Sequence, residues 1–121
     1  MVIINLTQHP ATPEQIEAGV VEPDAQTKAH IRRLLTFDEL PSHGEITVRA
    51  MALAAVADLS GAEGAMIGGA PYLMAPLEIA LNRAGLRALY AFSERVSVET
   101  TAPDGTVTKT NVFRHKGFVE A

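Results

Sequence analysis

Short apolar, β-branched runs alternate with helical stretches along most of this chain, and that alternation constrains the fold more than any other feature. Val2 to Leu6 is such a run; it ends at Thr7-Gln8-His9-Pro10 and reads as a buried first strand. Ala65-Met66-Ile67 is a second, followed by Gly68-Gly69-Ala70-Pro71, and Leu86 to Phe92 is a third. Strands separated by helices run parallel, because a right-handed crossover returns the chain to the same edge of the sheet. The order predicts a small α/β three-layer domain built on a parallel sheet.

Helix boundaries are written between the strands. In Thr12-Pro13-Glu14-Gln15, Thr12 caps, Pro13 suits the first helical position, and Gln15 reaches back from the third in a capping box. Gly19 stops that helix early. Asp24 opens a second helical stretch, with Ala29, Ile31, Leu34 and Leu35 as its apolar side and Lys28, Arg32 and Arg33 outside. Ser42-His43-Gly44-Glu45 is another capping box, and the helix behind it is expected over residues 45–59. Between Ile46 and Val56 its only charged residue is Arg49, too few for a helix with a wide wet face. It is either sandwiched between layers or part of a subunit interface, and the interface is the preferred reading. The next helix is expected to start near Tyr72 or Leu73, since Pro76 lacks an N–H and is tolerated only in a first turn.

The tail changes period. Val96, Val98 and Thr100 share one face, then Thr106, Thr108, Thr110 and Val112 share another, with Pro103-Asp104-Gly105 as a turn signal between them. Residues 94–113 are therefore expected to form an antiparallel β-hairpin appended at the C-terminus. With 121 residues, the span 1–121 makes one domain that can bury a core without staples. The absence of Cys excludes disulfides and thiolate metal sites. No two histidines have metal-ligand spacing and no acidic cluster suggests a two-metal site, so neither metal nor cofactor is expected. A net charge of −4 argues against a grip on duplex nucleic acid. Met1 to Leu6 lacks the cationic region of a signal peptide, and no apolar run approaches the roughly 20 residues that span a bilayer. A cytoplasmic protein with no membrane partner is expected.

In open parallel sheets, ligands bind outside the carboxyl ends of the strands. Three segments leave the expected strands at that edge: Thr7-Gln8-His9, Gly68-Gly69-Ala70 and Ser93-Glu94-Arg95. Gly68-Gly69 lets backbone approach a ligand, and the helix N-terminus behind it offers unpaired N–H groups; the same pair also serves a plain tight turn. Its spacing is neither the dinucleotide fingerprint nor a Walker A loop. Arg95 suits bidentate binding of phosphate or carboxylate, or a salt bridge to Glu94 or Glu99. Ser93 is placed to donate to an anion or act as a nucleophile, although no G-x-S-x-G elbow surrounds it. His9 at a strand end is placed for general acid–base work, or for bonding turn backbone before Pro10. Arg114-His115-Lys116 forms a local basic cluster that either joins Arg95 on an anionic ligand or stays solvated.

The opening Ile4-Asn5-Leu6-Thr7-Gln8-His9-Pro10-Ala11-Thr12-Pro13-Glu14-Gln15 resembles the start of several small single-domain CRISPR-associated proteins. Those begin with an apolar strand, then a histidine and a Thr-Pro-Glu-Gln-like helix start. They look like reduced members of the CRISPR-associated Rossmann-fold (CARF-like) group, which bind cyclic oligoadenylate second messengers; some cleave them as ring nucleases in antiviral defence. The stretch from Gly68 through Arg95, with Phe113-Arg114-His115, is compatible with a compact Rossmann-like unit in size and element order. The resemblance implies a Rossmann-like sheet, a small anionic nucleotide ligand and a metal-independent cleavage. In that chemistry a 2′-hydroxyl is held in line with the adjacent phosphate. Arg95 and the Gly68-Gly69 amides would hold phosphate, Ser93 and Gln8 would bond ribose or phosphate oxygens, and His9 would assist proton transfer. Thr7, Ala70, Arg114 and His115 would complete the ligand contacts. The symmetry of a cyclic ligand suits a two-fold homodimer built on helix 45–59. A reading from another class stands beside this one: a non-catalytic protein-interaction module of a mobile element or defence system.

Overall fold

The computed structural model describes residues 1–121. Its elements are β1 (Ile3–Asn5), α1 (Pro13–Glu17), β2 (Val20–Val21), α2 (Ala25–Leu35), α3 (His43–Leu59), β3 (Gly64–Met66), α4 (Pro71–Arg83), β4 (Arg87–Thr101) and β5 (Val107–Glu120). The strands form one five-stranded mixed sheet in the order β2-β1-β3-β4-β5. Neighbours are parallel except β5, which runs antiparallel to β4. The chain is thus of the α/β class its sequence predicts.

From β1 the chain steps outward to β2 through α1. From β2 and again from β3 it steps the other way, through α2–α3 and through α4. Right-handed crossovers taken in opposite directions place their helices on opposite faces. On one face, Ile4, Leu6, Ala65, Ile67 and Ala88 meet Ile31, Leu35, Leu53, Leu73, Leu77 and Leu81 of the three long helices in one buried cluster. On the other, Ile3, Val20, Met66 and Leu89 make a small cluster edged by Ala11 and Phe118. The helical layer on that side is the five-residue α1.

The caps behave largely as the residues dictate. Gln15 N–H donates to Thr12 Oγ1 at 3.2 Å, and Gln15 Oε1 accepts from Thr12 N–H at 3.0 Å, closing the box on α1. Gly19 follows at φ +114°, where a Cβ would lie 2.3 Å from the Met1 carbonyl oxygen. Ser42 accepts from Glu45 N–H, but the Glu45 carboxylate does not reach back; it takes Arg49 at 2.8 Å. The Arg49 guanidinium also donates to the Arg33, Leu34 and Thr36 carbonyls and lies 4.3 Å over the Phe37 ring. The lone cation in the apolar middle of α3 therefore closes the C-terminus of α2, whose last carbonyls have no partner within their own helix. α3 packs between α2 and α4, burying Ala50, Leu53, Ala54 and Ala57 while Val48, Met51 and Leu59 stay exposed.

Three boundaries differ from expectation. β2 is a strand of two residues, too short to show a period. α4 begins at Pro71, which takes the first helical position, so Pro76 falls inside the helix rather than in its first turn. The largest change concerns the third strand and the hairpin, which are not separate. β4 runs unbroken from Arg87 to Thr101, and β5 pairs with it from Glu120 opposite Leu89 to Val107 opposite Thr101. Ser93 and Glu94 do not turn the chain because β5 supplies a hydrogen-bonding neighbour straight through them. The register shifts once, between Phe92 and Ser93, opposite Gly117 at φ +149°. Within β4, only Arg87 to Leu89 pair with β3. The rest of β4 and β5 projects past the carboxyl edge as a two-stranded ribbon, closed where Gly105 N–H donates to the Ala102 carbonyl and Thr106 N–H to Asp104 Oδ1.

Candidate functional site

The chain leaves β1 and β3 in opposite directions, so the carboxyl ends of these neighbouring strands diverge into a crevice. In doubly wound sheets this switch point is where ligands lie. The crevice holds about 450 Å³. One wall is Thr7-Gln8-His9-Pro10 after β1, the other Ile67-Gly68-Gly69-Ala70 after β3; Gln15 of α1, Leu35 of α2 and Ala91 of β4 close its sides.

The first wall is built by a residue that sequence reasoning passed over. Asn5, the last residue of β1, is 2% exposed. Its Nδ2 donates to the His9 carbonyl and to Glu22 Oε1, both at 2.8 Å. Its Oδ1 accepts from Thr7 N–H at 2.9 Å and Thr7 Oγ1–H at 2.7 Å. Every polar atom of this buried amide is satisfied, and the loop is tied into one shape. Glu22 secures the back of the loop, accepting from Ala11 N–H at 2.7 Å and pairing with Lys28 at 3.0 Å. Burial pushes the Glu22 carboxyl upward, but hydrogen bonds from Asn5, Ala11 and Lys28 outweigh it and hold it below its ordinary value. An Asn ending an apolar run was the available signal.

The second wall depends on glycine. Gly69 sits at φ +148°, a conformation side chains resist, and Ala70 caps α4 with no side-chain acceptor for its first turn. The main-chain groups of His9 carry its loop contacts, its carbonyl accepting from Asn5 Nδ2 and its N–H donating to Thr7 Oγ1 at 3.3 Å. Its exposed imidazole takes no part in them. Gln8 reaches α2 weakly, donating to Thr36 Oγ1 at 3.4 Å. A smaller recess adjoins behind Gln8 and His9 and brings in Lys28 and Arg32. Lys28 is tied to Glu22, while Arg32, on the helix side read from sequence as outward, forms no salt bridge.

Thr7, Gln8, His9, Gly68, Gly69 and Ala70 thus share one crevice. Ser93, Arg95, Arg114 and His115 stand outside it on the ribbon. Ser93 and Arg95 share the face of β4 that carries Ala91, about 7 and about 13 Å further along the strand. Ser93 lies opposite His115, and Arg95 opposite Phe113. Arg114 belongs to the other face, opposite Glu94. Arg95 makes neither salt bridge its neighbours offered: Glu94 pairs with Lys116 at 3.1 Å and Glu99 with Lys109 at 3.6 Å, while the Arg95 guanidinium lies 5.7 Å from the Phe113 ring centre. A larger groove of about 550 Å³ runs between α3 and α4 past Met51 and Ile79, but it gathers none of these groups. On the same helical face, Tyr90 Oη–H donates to Glu78 at 2.5 Å; burial, with that bond, pushes its phenol up to about 12.

No helix is long and apolar enough to cross a membrane. No curated protein and no solved structure matches the chain. One family model does, over residues 1–119, and its description is the Uncharacterized protein MJ1673 family. The match takes in nearly the whole chain, which belongs to this family.

Proposed function

We propose that the switch-point crevice of this Rossmann-like, three-layer domain binds a small anionic nucleotide of the cyclic oligoadenylate class, in a cytoplasmic CRISPR-associated defence role. The observation that carries the reading is the convergence of the Thr7–Pro10 and Ile67–Ala70 loops on one cavity. The resemblance of Ile4–Gln15 to small CRISPR-associated proteins supplies the ligand class. Amides around Gly68 and Gly69, together with the N-terminus of α4, face phosphate there, and Arg32 adds positive charge at the rim.

His9 is the proton-transfer group of this reading, because its imidazole is exposed and uncommitted. Gln8 bonds ribose or phosphate oxygens. Metal-independent cleavage needs little beyond the 2′-hydroxyl held in line and a donor for the developing oxyanion. A cavity of about 450 Å³ has room for part of a four-nucleotide ring and not for all of it. The ring is accordingly shared by two copies related by a two-fold axis, with the exposed side of α3 as their contact.

Incubation with cyclic tetra-adenylate and cyclic hexa-adenylate in EDTA, read by mass spectrometry beside a thermal shift, tests this directly. Linear products that vanish in His9→Ala support a ring nuclease. A thermal shift without products supports a binding protein. If neither ligand shifts the melt nor is cut, the reading fails and the interaction module replaces it.

A further inference from the structure

We propose a second binding surface: the helix-bare face of the β4–β5 ribbon base is a stacking platform for a short single-stranded oligonucleotide. It goes beyond the crevice reading and stands on different residues. Because α2, α3 and α4 all lie on the opposite face, this side of β4 and β5 meets only Met1 and the end of α1, which share a recess with Phe118 and His115, and Phe113 beyond them is exposed. Three rings follow one another there along β5. Phe118 lies opposite Ala91, His115 packs against Phe118 with centroids 4.8 Å apart and the rings inclined by 59°, and Phe113 is 67% exposed opposite Arg95.

The array pairs rings with hydrogen-bonding and cationic groups, Ser93 beside His115 and Arg95 beside Phe113. His115 Nδ1 is shielded and has no hydrogen-bond partner, so the ring is held by its packing on Phe118 and not by a bond to that nitrogen. Arg95 is the cation of this face and forms no salt bridge; Lys116 at its edge is paired with Glu94, and the Glu120 carboxylate is held by Arg87. Sheet faces that bind single strands combine these same parts, aromatic rings under successive bases and cations along the phosphates. The free edge of β5 argues against a second copy as the occupant. Antiparallel self-pairing centred on Arg114-His115-Lys116 would set like charges side by side, next to the irregularity at Gly117.

The test is fluorescence anisotropy of a labelled single-stranded octa-adenylate RNA at about 50 mM salt. Wild-type protein is expected to bind it. Phe113→Ala and His115→Ala should each weaken binding about tenfold with an unchanged melting curve, the scale of losing one stacked base. Affinity should fall with salt, with a logarithmic slope of about −0.7 per phosphate contacted. Val98→Ala, on the opposite face of the ribbon, should bind as wild type. Absence of binding, or binding indifferent to both ring variants, overturns the proposal. So does light scattering that shows a dimer broken by Phe113→Ala with no oligonucleotide bound, since the face would then be a subunit contact.

Discussion

Between Arg87 and Leu89, β4 has β3 on one side and β5 on the other, and it buries Ala88 and Leu89. Between Ser93 and Thr101 the same strand has β5 alone and buries nothing, although Val96 and Val98 are as strand-prone as anything before them. The contrast teaches that burial here is decided by where the crossovers run and not by local preference. Each crossover lays a helix over the strands it joins, and no crossover follows β4. A lone two-stranded ribbon is marginal by itself, so this one draws its order from the sheet at its base.

Amide hydrogen exchange gives the largest test of that contrast. Protection at Ala65 and Leu89 should approach the global stability, about 5–15 kcal/mol for a domain of this kind, while Thr100 and Thr108 should exchange at small opening energies. Strong protection at the tip would mean that something covers the ribbon and would break the comparison. Side-chain truncation comes next. Leu77→Ala, at 0% exposure, should cost about 2–5 kcal/mol in urea unfolding, against less than about 0.5 kcal/mol for Val98→Ala.

Asn5→Ala sharpens the picture at the crevice, because it strips partners from Thr7, His9 and Glu22 at once. A loss of about 1–3 kcal/mol is expected in the same urea assay, with amide shifts confined to residues 7–12 and 22. The smallest effects are in pH. The Tyr90 phenol sits near 12 in the fold against 10.0 free, so its contribution is complete below pH 10 and lost as pH rises toward 12. Tyr90→Phe should flatten the alkaline limb of the stability curve over that window. The depressed Glu22 carboxyl works at the other end. Its support is present above about pH 4.5 and disappears as pH falls through its folded value, which a carbon-13 titration of Glu22 would follow.

Much of this architecture was legible from residues alone. Thr12 with Gln15, Asp24 and Ser42 all cap where their spacing says, and Pro103-Asp104-Gly105 turns the ribbon. The two crevice loops were legible as well, since each follows an apolar run into Thr, His or Gly. What stayed hidden depends on partners distant in sequence. Two-residue β2 exists because β1 lies beside it, and β4 passes through Ser93 because β5 accompanies it. Arg49 was visible as the one charge in an apolar stretch, yet its purpose lies in carbonyls 13 to 16 residues away. A strand that ends at Phe92 puts Arg95 beside the crevice, and the uninterrupted strand carries it outward instead.

That uninterrupted strand has a mechanical consequence. β4 is a beam clamped at one end by the sheet and free at the other, and Ala91, which forms part of the crevice wall, lies just beyond the clamp. A load applied to the rings near Phe113 acts at a distance from that point and reaches it as torque through continuous main chain. The irregularity at Gly117 is the one joint along the way, and it lies in β5, not in β4.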